Sequence, residues 1–189
     1  MSAVPGLRYE PDYLDGAEQA ALLDWVDRQP WSHALRRRVQ HHGWRYDYRS
    51  RRVRPEDRIG ALPPALARIA AGLVGPGSFD RQPDQAIVNE YEPGQGIAAH
   101  VDCEPCFGPV IASVSLGTPC VMELRRQAPD ARVPIDLAAG SLLVLSGEAR
   151  HLWTHAIPAR RGDTVPGGRR ARGRRVSVTF RTVESAGAT

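Results

Sequence analysis

His100 and Asp102 stand two residues apart, so on an extended chain their side chains project to one face and could grip one metal ion together. One imidazole and one carboxylate are two of the three ligands of a two-His-one-carboxylate facial site, the donor set that leaves positions open on Fe(II). The pair is not specific by itself, because most such residues are surface groups or hydrogen-bonding partners. A second histidine must come from downstream. His151 and His155, in the stretch 148–157, are the candidates. Their i, i+4 spacing could bind zinc on a helix, but Leu152 stands where the zinc-protease pattern has Glu. The stretch directly follows a predicted strand, which favours an extended conformation.

A second constellation lies at residues 175–181, Arg-Val-Ser-Val-Thr-Phe-Arg. On a strand, Arg175, Ser177, Thr179 and Arg181 share one face, and Val176, Val178 and Phe180 turn to the other. Two arginines inside a barrel are costly unless they meet anions. A small dicarboxylate suits them, because each guanidinium can clamp one carboxylate through paired hydrogen bonds. The alternative is an edge strand with two solvated arginines.

The elements that must position these groups are mainly β. Asp15 with Glu18 reads as a capping box opening a helix to about Asp27. Leu62, Leu66, Ile69 and Leu73 mark one face of a second helix, which Pro63 and Pro64 start and residues 75–77 end. After Phe79 come short β-rich runs at 85–91, 110–116, 120–124, 141–145 and 175–181, separated by Gly and Pro. Residues 44–48 alternate aromatic and charged side chains and also read as strand or hairpin. Many short strands with no helical pattern between them indicate an antiparallel sandwich or jelly-roll barrel behind two N-terminal helices.

Composition limits the classes. A chain of 189 residues that is 42% hydrophobic and 24% charged is long enough for one ordinary globular core, not for a disordered tail. Its 25 basic residues are all arginine, yet the net charge is only +4, so charge alone does not prove a nucleic-acid partner. Cys103, Cys106 and Cys120 are too few for a disulfide framework. Cys103 and Cys106 have the spacing of a zinc or redox pair, but no second pair completes a four-cysteine site. No apolar run is long enough to span a membrane and the N-terminus lacks signal-peptide character, so a reducing cytoplasm is the expected location.

The order of the blocks is what makes them specific. N-x-Y-x-P-G-x-G-I-x-x-H-x-D, then S-x-S-L-G, then G-E-A-R-H-L-W-T-H-A-I, then R-x5-R resembles the AlkB-type 2-oxoglutarate/Fe(II)-dependent dioxygenases over residues 83–183. Pro93 to Ile97 and Leu152 to His155 look nearest to the branch that includes modifiers of the tRNA wobble uridine. The resemblance implies a double-stranded β-helix core, with His100, Asp102 and His155 as iron ligands and His151 as a structural or supporting residue. It implies that Asn89, Tyr91, Arg175 and Arg181 hold 2-oxoglutarate or line its pocket. Arg175 would clamp the carboxylate far from the metal, and Arg181 would sit at the chelating end. The implied cofactors are Fe(II), 2-oxoglutarate and O2. The implied chemistry converts the co-substrate to succinate and hydroxylates a C–H bond, and a hydroxylated N-methyl group on a base then falls apart to formaldehyde.

By the same resemblance, residues 1–189 are expected to form a single domain, with helices and a nucleotide-recognition lid in 1–82 and the catalytic core in 83–183. Residues 31–54 would set specificity for alkylated DNA or RNA. Arg36 to Arg38, His41, His42, Arg51 and Arg52 could meet phosphates, and Trp44, Tyr46 and Tyr48 could stack a flipped-out base. For Trp44 and Tyr46, packing on the barrel is the preferred reading. Residues 167–175 read as a mobile basic loop. Demethylation of N-alkylated bases is the leading expectation, and stable hydroxylation of a tRNA or other RNA nucleoside is the alternative. A non-enzymatic nucleic-acid binder would not need the three ligands, and a cupin-like metal protein would not need Arg175 and Arg181.

Overall fold

Asp15 and Glu18 cap each other's backbone: the Asp15 carboxylate accepts from Glu18 N at 2.8 Å, and Glu18 accepts from Asp15 N at 3.1 Å. They open α1 (Gly16–Asp27), which follows β1 (Leu7–Glu10). The computed structural model describes residues 4–126 and 129–184. After α1 come β2 (Val39–His42), a 3-10 turn (Pro55–Asp57) and α2 (Pro64–Gly72). The strands β3 (Gln85–Tyr91), β4 (Ile97–His100), β5 (Phe107–Gly117), β6 (Cys120–Arg126), β7 (Ala131–Leu137) and β8 (Leu142–Leu145) follow. A one-turn helix α3 (Gly147–His151) then leads to β9 (Thr154–Ile157), β10 (Gly162–Val165), β11 (Gly168–Ala171) and β12 (Arg175–Val183).

All strand pairs are antiparallel. A six-stranded sheet runs β1-β8-β5-β12-β3-β2, and a four-stranded sheet runs β4-β9-β6-β7. Residues of both sheets, such as Ile111 and Leu143 from one and Met122 and Leu124 from the other, share one buried cluster between them. This is a mainly β jelly roll with few helices, as the sequence indicates. The second core lies behind the large sheet, where Leu22 and Val26 of α1 and Leu66 and Ile69 of α2 meet Val176, Val178 and Phe180 of β12. Burying each of those side chains stabilises the fold by roughly 1.5–3 kcal/mol. β12 lies between β3 and β5, with Arg175 opposite Tyr91 and Ser177 opposite Asn89. Its apolar residues are used against the helices, which leaves its polar face to the interior of the sandwich.

Four expectations are corrected. Residues 44–48 are not a strand: only isolated bridges Trp44–Arg58 and Asp47–Arg52 form. Asp47 accepts from Arg49 N, Ser50 N and Ser50 Oγ, and this local turn competes with a ladder. The stretch around His151 is not extended throughout, because α3 ends on His151 before β9 begins. The Pro5 carbonyl accepts from Ala149 N at 2.9 Å and helps seat that turn. The loop 167–175 is not free basic surface. Arg170 pairs with Asp136, Arg172 with buried Asp163, and Arg174 with Asp27 and Glu90, so its charges are largely neutralised within the fold. Cys103 and Cys106 are joined by a disulfide across a tight turn, with Cα atoms 5.3 Å apart.

Candidate metal centre and its two chambers

Gly94 takes φ +93°, which lets the chain turn sharply between β3 and β4. Gly96 then passes so close to β9 that an added Cβ would lie 2.2 Å from the Ile157 carbonyl oxygen. This close approach brings β4 and β9 into register with His100 directly opposite His155, their ring centroids 4.3 Å apart. Asp102 lies two residues beyond the end of β4, so it reaches the site from a loop and not from the strand face. The loop is bound down on both sides. Arg181 Nε donates to Asp102 Oδ2 at 2.8 Å, and the buried Arg150 of α3 donates to the carbonyls of Asp102, Cys103 and Gly108.

The structure therefore brings His100, Asp102 and His155 together: one donor atom from each lies within 4.8 Å of the other two. Asp102 Oδ1 is 3.4 Å from His100 Nε2 and 3.9 Å from His155 Nε2. His100 Nδ1 donates to the Ala98 carbonyl at 2.8 Å, so that nitrogen carries the proton and Nε2 presents a lone pair to the cluster. Burial lowers the His155 pKa to about 4 against the pull of Asp102, so its imidazole is neutral near pH 7. Burial alone would raise the Asp102 pKa, but Arg181 and the two imidazoles hold it well below the usual carboxylate range. Two imidazoles and one carboxylate, with His100 and Asp102 each oriented by a further partner, fit a ferrous ion. His151 lies apart and pairs with Glu104 at 2.6 Å.

Two chambers adjoin this cluster. The inner one lies between the sheets and is lined by Tyr91, His155, Arg175, Ser177 and Thr179, with Asn89, His100 and Arg181 at its boundary. Arg175 is buried, donates to Ser115 Oγ at 2.9 Å, and has an Nε with no partner among the described residues. A buried guanidinium without an anion is costly, and a carboxylate bound at this point would remove that cost. The residues thus fit a dicarboxylate at its far end. The outer chamber, about 320 Å³, shares Asn89, His100 and Arg181 and is walled by Arg37, Tyr46, Tyr48, Arg51 and Phe107. Arg37 donates to Asn89 Oδ1 at 2.9 Å.

Not every residue of the 31–54 segment reaches the outer chamber. Trp44 packs into the core between the sheets, as preferred from sequence, while Tyr46 does so and also walls the chamber. Tyr46 and Tyr48 meet edge to face at 5.1 Å. His41 and His42 are expected phosphate contacts, yet burial lowers both pKa values to about 4, so they carry no charge near neutrality. Arg38 is occupied by Glu90. Arg37 and Arg51 have no carboxylate partner among the described residues. The sequence reading missed Arg150. It sits in the block read for its histidines, and nothing in its spacing marks it as buried.

A family model described as "2OG-Fe(II) oxygenase superfamily" matches residues 6–181. The chain is 37% identical over 205 residues to the "Alkylated DNA repair protein ALKBH8 homolog" of Arabidopsis thaliana, covering 96% of this chain and 59% of that one. It is 38% identical over 170 residues to the "tRNA (carboxymethyluridine(34)-5-O)-methyltransferase ALKBH8" of Macaca fascicularis, covering 85% and 25%. The chain thus spans between a quarter and three fifths of the length of these curated relatives. The solved structure of OsALKBH1 superposes with a TM-score of 0.70 at 18% identity, over 96% of this chain and 99% of that one, and so shares the fold. Among the described residues no helix is long and apolar enough to cross a membrane. The chain is similar to relatives named as AlkB homologues, belongs to the 2OG-Fe(II) oxygenase superfamily, and is an iron- and 2-oxoglutarate-dependent dioxygenase.

Proposed function

We propose that this dioxygenase oxidises an alkylated base of a nucleic acid held in the outer chamber. The observation that carries the reading is the shared wall: His100, Asn89 and Arg181 border both chambers, so a guest in one lies against a guest in the other. In this reading His100, Asp102 and His155 hold Fe(II), and Asn89, Tyr91, Arg175 and Arg181 hold or line the site of 2-oxoglutarate. When bound, iron and 2-oxoglutarate supply the oxidising chemistry that inserts one oxygen atom into a C–H bond of the substrate.

The chain's own part is to bind, orient and exclude water. Arg175 clamps the far carboxylate of the co-substrate, with Ser115 fixing the guanidinium. Arg181 neutralises Asp102 and holds it in one orientation. Tyr46 and Tyr48 provide an edge-to-face aromatic wall for a base taken out of its stack. Arg37 and Arg51 have no acidic partner among the described residues and supply charge for the backbone of the nucleic acid. Residues 31–54 act as the lid, and residues 1–82 and 83–183 work as one catalytic unit.

The leading outcome is demethylation of an N-alkylated base. A second reading, stable hydroxylation of a tRNA nucleoside, is supported by the 38% identity to a relative named for modification of tRNA uridine. The test is to incubate iron-loaded protein with 2-oxoglutarate and panels of modified DNA and RNA oligonucleotides, followed by mass spectrometry. Loss of a methylene mass with release of formaldehyde supports demethylation. Gain of one oxygen supports hydroxylation, and no change on any nucleic acid, despite succinate formation, overturns the substrate class.

A further inference from the structure

We propose that Cys103 and Cys106 form a reversible oxidation site that governs how firmly the rim of the outer chamber is held. Cys103 follows Asp102 directly and lines that chamber. With the disulfide formed, the two sulfurs lie 3.3 and 3.4 Å from one atom, the carbonyl oxygen of Arg51. Arg51 is itself unusual, with φ +53° in the left-handed region, a conformation that costs about 1–3 kcal/mol in a non-glycine residue and persists only when its surroundings hold it. The Cα separation of 5.3 Å suits a disulfide, and the same turn accommodates two thiols with little backbone movement.

The two redox states differ in what they offer Arg51. As thiols, both cysteines can donate S–H to the Arg51 carbonyl, which has two lone pairs to accept them. As a disulfide they have no donor, so the contacts to the Arg51 carbonyl in this disulfide-bonded structure are van der Waals contacts and not hydrogen bonds. Asp102 does not share this change. Its loop is pinned independently by Arg150 and Arg181 and by the Glu104–His151 pair. Oxidation therefore loosens residues 47–54 on the rim while the metal ligands stay in place. With a peroxide as oxidant the chemistry balances. One sulfur attacks a peroxide oxygen, the O–O bond breaks and water leaves, forming a sulfenic acid. The second sulfur then attacks the first, the S–O bond breaks and a second water leaves, so two thiols lose two electrons and two protons. All three cysteines are buried, but Cys103 lines the outer chamber, whereas Cys120 is only 2% exposed and burial pushes its thiol pKa up.

The inference rests on the outer chamber receiving the substrate, but its test does not need the substrate. The full chain, reduced and then exposed to hydrogen peroxide, is alkylated with N-ethylmaleimide and mapped by peptide mass, and amide hydrogen exchange is followed at residues 47–54. The expected result is an unalkylated peptide lacking two hydrogens and bridging Cys103 to Cys106, which dithiothreitol restores. Exchange at 47–54 should be roughly tenfold faster in the oxidised protein, with β12 unchanged. In Cys103→Ser/Cys106→Ser the redox dependence should vanish. Sulfinic acid or intermolecular cross-links in place of the internal bridge would overturn the proposal, as would equal exchange in the two redox states of the unmutated chain. Inactivity on every nucleic acid would sink the substrate reading and leave these readouts unaffected.

Discussion

The inner and outer chambers share a wall but are built differently. The inner one is framed by β-strands: β3 and β12 supply Asn89, Tyr91, Arg175, Ser177, Thr179 and Arg181 in a continuous register, and β4 and β9 set His100 against His155. The outer one takes part of its wall, Leu35, Arg37, Tyr46, Tyr48 and Arg51, from the stretches that flank β2, where isolated bridges and an Asp47-centred turn order the backbone. Strands hold side chains to fractions of an ångström because every backbone group is tied to a neighbour, whereas loops hold them by scattered contacts. Chemistry common to a superfamily suits the rigid half. Recognition that must vary between substrates suits the other.

The largest expected effects lie where the two halves meet. His155→Ala should abolish turnover and iron(II) binding, measured by metal content and succinate release, while His151→Ala should retain most of both. The reverse result would move the third ligand to His151. Arg175→Ala should raise the half-saturation for 2-oxoglutarate roughly a hundredfold, because truncating a buried ion pair costs about 2–5 kcal/mol. KM for the nucleic acid should not move, and an unchanged half-saturation for 2-oxoglutarate would remove Arg175 from the inner chamber's function. Tyr48→Ala should act in the opposite sense, raising KM for the nucleic acid about tenfold at the ~1–3 kcal/mol typical of base stacking. Its co-substrate kinetics should match the parent; joint changes in both would mean that the chambers are not separable.

The smallest effect concerns stability. His42 is held neutral by burial, with its pKa lowered to about 4 from an ordinary 6.5. The unfolded chain therefore binds more protons between these limits. Stability from this residue is present above pH 6.5 and is lost as the pH falls toward 4. Thermal melts across that window should show a decline that His42→Phe, which keeps a ring against Trp25, makes shallower. Hydrogen exchange should place the loss on β2 beside the lid and leave β12 protected.

The two halves also differ in how legible they are. β12 could be read almost completely, since alternation over seven residues assigns Val176, Val178 and Phe180 to the core and Arg175 and Arg181 to the interior. The capping box of α1 is equally local. Residues 44–48 and 167–175 misled for a common reason. Their alternation and their charge are real, but an Asp47 turn in one and carboxylates more than thirty residues away in the other, such as Asp136 and Glu90, decide the outcome. Arg150 shows the limit most plainly. A buried arginine satisfied by three backbone carbonyls has no local signature, because its partners come from a loop and a strand more than forty residues away.

Residue types and their order were enough to point to the family, to the three candidate ligands that the fold brings together and to the faces of the strands, because those follow from side-chain chemistry and a two-residue period. Only the tertiary structure decided which arginines remain unpaired, which histidines are neutral, and that Cys103 and Cys106 meet at the Arg51 carbonyl. Each of those depends on solvent exclusion and on groups distant in the chain, and pattern along a chain carries neither.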